Sequence, residues 1–314
     1  MRIGVVIPVM NRPTLVCEAV SSLWAQTRRP DEVVIVDDGS TDDTPDRVGR
    51  HLAGLGAPAG WRVLRESHRG AAAARQTGVT ACRGVDAVAF LDSDDLWPDD
   101  LLARAEGALV ARPELAGVSA DRLTQDIARG RDRHDDLSPL STHPLRWMVT
   151  NDAGFGSCSV LRAEALSGIG GYPLGEATGH DIVLFARMFG AGPWAHLPGK
   201  PVVFRRHHHG AFGEADHIAR TFADSNLRHA RLYERVASSL AQSGPLPPDV
   251  RSAMARRWLS AAKSCRNMNT PTEGLRCLSQ ASRYRRTSFR AIKLGFQLRK
   301  AGKRSRAGRS MSPC

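Results

Sequence analysis

Apolar and polar positions follow two alternating patterns over the first hundred residues. Runs of β-branched apolar residues, typical of buried strands, are separated by segments with apolar residues three or four positions apart, which indicate amphipathic helices. The runs predict strands at 3–9, 32–38, 61–66 and 87–91, and the segments between them predict helices at 14–27, from 43 and at 71–81. Strands that alternate with helices in this way predict a parallel, doubly wound sheet.

The pattern changes after residue 100. Helices are predicted at 101–111, 163–166 and 181–189, strands at 117–123 and 201–206, and a polar loop at 126–144. Beyond Gly213 the sequence indicates helix or disorder, with helices at 218–240, 248–268 and 272–284. We therefore predict an α/β fold at 1–212, with a mostly parallel central sheet flanked by helices, then a C-terminal helical extension at 213–300 and a disordered basic tail at 301–314.

The formal net charge of +12 is concentrated near the C-terminus. Residues 251–314 contain 17 Lys and Arg but one acid, Glu273, whereas residues 1–250 are slightly negative overall. A basic run of this kind is a solvated surface, a membrane-surface contact or a nucleic-acid contact. Because the larger part of the chain is net acidic and lacks a motif for stacking bases, we expect no nucleic-acid partner.

The cysteines and the apolar runs bear on the compartment. Six cysteines are scattered without a CxxC pair, which favours free thiols in a reducing cytosol. The opening MRIGVVIPV is short and leads into a polar turn, so it indicates a first strand rather than a signal peptide. No run approaches the ~20 apolar residues that a membrane-spanning helix needs. We expect a cytoplasmic protein.

Carboxylates lie at the carboxyl ends of two of the predicted strands. Asp92, Asp94 and Asp95 follow the fourth strand in FLDSDDLWP, and Asp37 lies at the carboxyl end of the second in VIVDDGS. Neighbouring carboxylates repel one another and need a cation, a helix N-terminus or solvent beside them. Ligands of open α/β sheets bind at the carboxyl ends of the strands, so these acids are candidate ligand contacts. Alternatively, Asp37 starts a turn and Asp95 caps the helix that Pro98 helps to start.

Six motifs in a fixed order make the chain resemble the family-2 glycosyltransferases, which have the GT-A fold. The motifs span about residues 3–212 and read VVIPVMNR, VIVDDGSTDDT, HRGAAAARQTG, FLDSDDLWP, GHDIVLFARM and VVFRRH. The resemblance implies a GT-A, Rossmann-like domain that transfers a sugar, with inversion and with a metal ion, from a nucleoside diphosphate sugar to an acceptor hydroxyl. Acceptors of this family are often lipid-linked or part of the cell envelope. Attraction of the basic tail to anionic lipid at the inner face of the membrane is therefore one hypothesis, and a solvated tail is the other.

The resemblance also implies which residues bind the donor. The nucleotide and its diphosphate would meet Pro8, Val9, Asn11, Asp37, Arg75, Asp92, Arg205 and Arg206. Asp94 would bind Mg²⁺ or Mn²⁺ directly, because hard cations prefer oxygen ligands. His207 would be a further metal contact. Asp92 would contact the ribose or a metal-bound water. Gln76 stands where the family commonly has Asn.

GHDIVLFARM carries the expected reacting carboxylate. Asp181 matches the family's catalytic base, which takes the proton of the attacking hydroxyl. The residue before that base is usually an acid but is His180 here, and we expect it on the acceptor side with Ser157 and the turn at 170–172. Two alternatives stay open. Asp181 could cap the helix that follows, or the chain could be a catalytically silent family member that binds nucleotide or glycan.

Overall fold

A computed structural model describes residues 1–127, 129–151, 153–176, 178–206, 224–242, 244–285, 291, 293–299 and 301. The chain divides into two compact units. The sheet unit comprises Met1–Pro144 and Ala153–His217, and the helical unit comprises Leu145–Asp152 and Ile218–Cys314. The predicted boundary at 212 and the predicted tail beyond 301 lie outside the described residues.

The sheet unit is built on an eight-stranded sheet. Its strands are β1 Ile3–Val9, β2 Glu32–Asp38, β3 Trp61–Glu66, β4 Ala87–Phe90, β5 Gly117–Asp126, β6 Arg131–Asp135, β7 Ser159–Arg162 and β8 Trp194–Arg206. The order is β3-β2-β1-β4-β7-β5-β6, with β8 also paired to β5. The pairs among β1 to β4 are parallel, as is β5 with β8, whereas β7 runs antiparallel to β4 and β5, and β6 antiparallel to β5. The α/β fold is confirmed, with a sheet that is parallel in one half and mixed in the other.

Helices flank this sheet and form the second unit. They are α1 Pro13–Trp24, α2 Thr44–Leu55, α3 Ala71–Ala81, α4 Leu101–Ala111, α5 Pro144–Thr150, α6 Ala163–Gly168, α7 His180–Ala191, α8 Ser225–Ala241, α9 Pro248–Asn267 and α10 Pro271–Tyr284. Prolines stand in the first turn of α1, α2, α9 and α10. Proline suits this position because an N–H there would have no acceptor within the helix.

The largest departure from the predicted elements is the segment at 126–144, where we expected a loop. It contains β6 and a short 3₁₀ helix, Ser138–Ser141. The sequence of β6 is RDRHD, and four of its five side chains are exposed, so no alternation of apolar residues could reveal it. Pairing with the end of β5 and the ion pair between Arg122 and Asp135, at 2.9 Å, hold it in the sheet.

Strand β8 is longer than predicted and contains a bulge. It begins at Trp194 rather than 201, and between the pairs Ala120–Leu197 and Arg122–Val202 it advances five residues while β5 advances two. The guanidinium of Arg104 donates to the carbonyls of Leu197, Pro198 and Lys200 in the bulge, at 3.1, 3.1 and 2.8 Å. These bonds satisfy carbonyls that the ladder leaves unpaired.

The core of the sheet unit lies between the sheet and its helices. Strand β1 is buried along its whole length, and so is β2 from Val33 onward, because both faces of a parallel sheet are covered.

In the helical unit, Trp258 donates to Glu234 at 2.8 Å and the guanidinium of Arg257 lies 3.5 Å from the ring centre of Tyr233. No helix in the described ranges is both long enough and apolar enough to cross a membrane.

Candidate active site

The carboxyl ends of β1 and β2 form a polar edge. Val9 lies opposite Asp37 in the ladder, and Pro8 opposite Val36. Asp37 is 3% exposed, and its Oδ1 is buried without a hydrogen-bond partner among the residues that the structure describes. Asn11 braces the following turn, since its N–H donates to Ser40 at 2.8 Å. A buried carboxylate oxygen without a partner is a ready acceptor for a ligand hydroxyl or N–H.

The carboxylate of Asp38, unlike that of Asp37, is hydrogen-bonded to the segment that leads into α3. Its Oδ1 accepts the N–H of Arg69 at 2.7 Å, and its Oδ2 accepts the N–H of Gly70 and a nitrogen of His68, both at 2.9 Å. Gly39 permits this approach, because at φ +79° a Cβ there would lie 2.7 Å from the backbone N of His68. Asp38 therefore fixes the chain just before α3.

Arg75 projects from α3 towards the acidic turn, which follows β4 and carries Asp92, Asp94 and Asp95. It is 7% exposed and forms an ion pair with Asp92, while its Nη1 is buried and has no hydrogen-bond partner in the described part of the chain. Burial alone would lower the pKa of Arg75, but the hydroxyl of Tyr172 and the carboxylates of Asp92 and Asp181 raise that pKa instead. The guanidinium is thus a permanent buried cation with a spare donor, which suits a phosphate oxygen.

Asp94 and Asp95 occupy two different environments. Asp94 is 2% exposed and its Oδ2 lies 2.9 Å from Nη1 of Arg12. Asp95 accepts the hydroxyl of Ser157 at 2.6 Å and the backbone N–H of Arg205 at 3.2 Å. Burial, with repulsion from its two neighbouring acids, raises the pKa of Asp95 well above its ordinary value. The prediction that Asp95 caps a helix is wrong, because α4 starts at Leu101 after Asp100.

Ser157 lies within the acidic turn. Its hydroxyl donates to Asp95 and accepts the N–H of Asp92 at 3.1 Å, and its carbonyl accepts the indole N–H of Trp97 at 2.6 Å. The expectation for Ser157 was a contact on the acceptor side. In the structure this hydroxyl is instead hydrogen-bonded within the turn that carries Asp92 and Asp95.

Of the two arginines at the end of β8 that were predicted to bind the donor, Arg205 reaches the acidic turn. Its Nε donates to the carbonyl of Asp94 and its Nη1 to Glu18. Its Nη2 is buried and, within the described ranges, has no hydrogen-bond partner. Arg206 is the next residue of the strand, so its side chain projects to the other face. His207 lies outside the described residues.

The expected base stands in the first turn of α7 beside a tyrosine. The cap of α7 is Gly179, so Asp181 is not the helix cap. Its Oδ1 accepts the hydroxyl of Tyr172 and lies 3.1 Å from Nδ1 of His180. Burial would raise the pKa of Asp181, but His180, Arg75 and Tyr172 outweigh burial, and the pKa lies below its ordinary value. Asp181 is therefore a charged carboxylate, and 30% of its side chain remains exposed.

Sequence reasoning missed the roles of two residues. Arg12 belongs to the first motif, and only the fold shows that its guanidinium meets Asp94. Tyr172 was placed in the turn at 170–172 without a role, although it bonds to the expected base. A tyrosine hydroxyl gives no periodic signal, so its partner emerges only from the tertiary structure.

The residues of the acidic turn fit a divalent metal ion chemically. Asp92 and Asp94 offer hard oxygen ligands beside the guanidinium groups of Arg75 and Arg12, a set that suits a cation bound to a diphosphate. A separate group, Asp121, Asp136 and His196, has ligand atoms within 4.8 Å of one another in the described residues. In that group His196 Nε2 and Asp121 Oδ1 already form a hydrogen bond of 2.8 Å with each other.

Solved glycosyltransferases have the same fold. Residues 1–349 of TarS from S. aureus, in complex with UDP-GlcNAc, superpose with a TM-score of 0.63 at 15% identity, covering 98% of this chain and 92% of that one. The mannosyltransferase PcManGT from Pyrobaculum calidifontis, in complex with GDP-Man and Mn²⁺, gives a TM-score of 0.56 at 21% identity, covering 96% and 86%. At these identities the likeness concerns the fold alone.

Sequence relatives indicate the family. Pre-mycofactocin glycosyltransferase of Mycobacterium tuberculosis is 32% identical over 220 residues, which are 66% of this chain and 43% of that protein. Succinoglycan biosynthesis protein ExoW of Rhizobium meliloti is 38% identical over 106 residues, 32% of each chain. The chain thus spans less than half the length of the first relative. Residues 4–170, more than half of the chain, match the family model described as Glycosyl transferase family 2. The chain belongs to glycosyl transferase family 2.

Proposed function

We propose that the protein is a metal-dependent, inverting glycosyltransferase that moves a sugar from a nucleoside diphosphate sugar to an acceptor hydroxyl. The observation that carries the proposal is a set of buried polar atoms without hydrogen-bond partners among the described residues. They are Asp37 Oδ1, Arg75 Nη1 and Arg205 Nη2. Buried groups of this kind are nearly always satisfied, so their presence at the ends of β2 and β8 and on α3 supports a bound ligand.

The three atoms match the two ends of a nucleoside diphosphate. Asp37 is an acceptor at the end of β2, where a ribose hydroxyl or a base N–H can donate to it. Arg75 and Arg205 approach the acidic turn and offer spare N–H donors, as a diphosphate requires. The UDP-GlcNAc of TarS and the GDP-Man of PcManGT belong to this ligand class.

Asp94 is our choice for the Mg²⁺ or Mn²⁺ ligand, with Asp92 next to it. When bound, such an ion neutralises the charge that develops on the departing diphosphate. Around it, Arg12 meets Asp94 and Arg75 meets Asp92, so each carboxylate is oriented by a guanidinium. The presence of Mn²⁺ in PcManGT supports the choice of cation.

Asp181 is the proposed base on the acceptor side. Its depressed pKa keeps it ionised near neutral pH, and its partly exposed side chain is accessible to a hydroxyl. Attack by that hydroxyl on the anomeric carbon, on the face opposite the leaving diphosphate, would invert the configuration. Charge on Asp181 favours an active enzyme over the silent alternative, which rests on the replacement of an acid by His180.

The test is release of nucleoside diphosphate from a panel of UDP- and GDP-sugars with Mn²⁺ or Mg²⁺. We expect one donor to be hydrolysed, with loss of at least about tenfold in Asp94→Asn and in Asp181→Asn. Asp99→Asn is the matched control, because Asp99 lies near the same turn but bonds to Lys200 on the surface. This control should keep the wild-type rate.

Calorimetry on the same samples separates the alternatives. Binding of UDP or GDP that depends on metal, without hydrolysis of any donor, would favour the silent binding protein. Absence of any nucleotide binding would contradict the proposed donor site altogether.

We further propose that the acceptor belongs to cell-envelope polysaccharide, glycolipid or another glycoconjugate, as the name of ExoW suggests for that relative.

A further inference from the structure

Two polar groups converge on one oxygen of Asp181. The hydroxyl of Tyr172 bonds to Oδ1, and Nδ1 of His180 lies 3.1 Å from the same atom. The tyrosine oxygen and Nδ1 are 2.9 Å apart, so the three atoms form a closed triangle. Tyr172 is 2% exposed, which keeps water away from its side of the triangle.

The chemistry of the three groups fixes where the protons lie. An ionised carboxylate accepts hydrogen bonds only, so both neighbours must donate to it or to each other. Burial and the nearby acid Asp181 raise the pKa of Tyr172 far above neutral, so its hydroxyl remains protonated and donates to Oδ1. Nδ1 of His180 must then carry a hydrogen, which it directs at Oδ1 and the tyrosine oxygen.

Because Oδ1 has two hydrogen-bonding partners, the two oxygens of Asp181 differ in their surroundings. Oδ2 receives no hydrogen bond from the described residues, and the side chain is 30% exposed. We propose that Tyr172 is a positioning residue of the transfer reaction, which together with His180 holds Oδ1 so that Oδ2 faces the acceptor hydroxyl. This inference rests on the proposed function, because it assumes that Asp181 is the base.

Tyr172 is itself fixed by the donor-side helix. Its backbone N–H donates to Oε1 of Gln76 at 2.6 Å, and Gln76 follows Arg75 in α3. Gly171 makes the approach possible, since at φ +80° a Cβ there would lie 2.6 Å from that amide oxygen. The guanidinium of Arg75 also lies 5.5 Å from the ring centre of Tyr172. Gln76 and Tyr172 therefore connect the donor-binding helix to the base.

This arrangement gives His180 a reason to stand where the family usually has an acid. A second ionised carboxylate could not donate to Asp181 and would repel it. An imidazole N–H donates, and it brings no negative charge. The substitution thus completes the support of Oδ1 in this chain.

The first experiment compares Tyr172→Phe with wild type in donor hydrolysis, where water replaces the acceptor. We expect kcat for the hydrolysed UDP- or GDP-sugar to fall about tenfold or more, because a hydrogen bond to a charged group is lost. The dissociation constant of the corresponding nucleoside diphosphate should change less than about twofold, since Arg75 and Asp37 are untouched. A wild-type kcat in Tyr172→Phe would overturn the proposal.

Tyr284→Phe is the matched control. The hydroxyl of Tyr284 also interacts with a carboxylate, that of Glu234, which together with burial raises the pKa of Tyr284, but in the helical unit. It should keep the wild-type kcat. His180→Asn, whose amide can donate from nearly the same place as Nδ1, should retain much more activity than His180→Ala. Equal losses in the two His180 variants would count against donation by His180.

Asp181→Asn separates this proposal from the proposed function. If Asp181→Asn hydrolyses donor normally, Asp181 is not the base and the proposed function fails there. If it is inactive while Tyr172→Phe is normal, only the positioning role fails. A second measurement needs no turnover: ¹⁵N NMR of the imidazoles at pH 8, assigned with His180→Asn. We expect a protonated Nδ1 on His180, and a bare Nδ1 would contradict the proton arrangement.

Discussion

Two carboxylates of the acidic turn each form an ion pair with a different arginine. Asp94 meets Arg12 and Asp92 meets Arg75, while Asp95 bonds to the hydroxyl of Ser157. Local pairing keeps three neighbouring acids folded together despite their repulsion. Each arginine therefore contributes both to the stability of the turn and to the charge that a donor would meet.

The Arg12–Asp94 pair can be tested by Arg12→Gln. Removing the guanidinium leaves a buried carboxylate beside other acids, so we expect a lower melting temperature. It also removes a cation that competes for Asp94, so Mn²⁺ affinity without nucleotide, measured by electron paramagnetic resonance, should rise several-fold. Arg50→Gln, which removes an exposed pair with Asp43, should change neither quantity. Unchanged Mn²⁺ affinity in Arg12→Gln would argue against Asp94 as a ligand.

Arg75→Lys tests the spare guanidinium donor. An ammonium keeps the charge but cannot bond to Asp92 and to a phosphate in the same fork. We expect the dissociation constant of UDP or GDP, measured by calorimetry with Mn²⁺, to rise about tenfold. The control is Arg62→Lys on β3, whose guanidinium bonds to the carbonyl of Ala81. Equal affinities of wild type and Arg75→Lys would remove Arg75 from the donor site.

Individual residues show how far the sequence could be interpreted. Asp37, Arg75 and Asp92 were predicted at strand ends or on α3, and the structure brings Arg75 and Asp92 into contact. Tyr172 could not be given a role, because its partner Asp181 depends on how α7 meets the preceding turn. Chemistry at the ends of regular elements can be predicted from a sequence, whereas contacts between loops need the fold.

At the scale of elements, the predictions succeeded where apolar periodicity was strong. The buried strands β1 and β2 and the helix α3 occur at the predicted positions. The exposed strand β6 was missed because its side chains are polar and its pairing with β5 is a tertiary fact. The sheet was predicted to be mostly parallel, but which strands run antiparallel could not be predicted, because sequence patterns do not reveal strand direction.

The turn before α7 provides a prediction at this scale. Gly170 and Gly171 both have positive φ, but a Cβ on Gly171 would meet Gln76, whereas one on Gly170 would meet nothing within 4 Å. Both alanine variants carry the backbone strain, of the order of 1 kcal/mol. Gly171→Ala should lose more melting temperature than Gly170→Ala, and more donor hydrolysis. Equal losses would show that the contact with Gln76 is unimportant.

At the scale of the whole molecule, charge is distributed unevenly along the chain. Residues 1–250 are slightly negative, and the remaining residues carry 17 basic side chains against one acid. The helices of the second unit bury some of the apolar residues in this basic stretch, such as Leu294 and Leu298, which are 5% and 0% exposed. A deletion that tests the basic tail should therefore begin after these residues.

Deletion of residues 302–314 removes four Lys and Arg and spares the buried leucines. If the tail is attracted to anionic lipid, co-sedimentation with phosphatidylserine vesicles at low salt should fall in the deletion variant. The control vesicles contain phosphatidylcholine alone and should bind neither protein. Equal binding of both proteins to the anionic vesicles would favour a solvated tail.

The length of the bulge in β8 decides which side chains of the strand end face the acidic turn. The three extra residues of the bulge decide that Arg205, and not its neighbour Arg206, faces the acidic turn. A change of one residue in bulge length would exchange the two faces of the strand beyond it. If one residue of the bulge is deleted, Arg206 takes the position that Arg205 holds, so the strand still presents a guanidinium to the turn. If one residue is inserted, Phe204 takes that position and the guanidinium is lost from it. The adjacent arginines therefore make the site tolerant of a deletion in this bulge but not of an insertion.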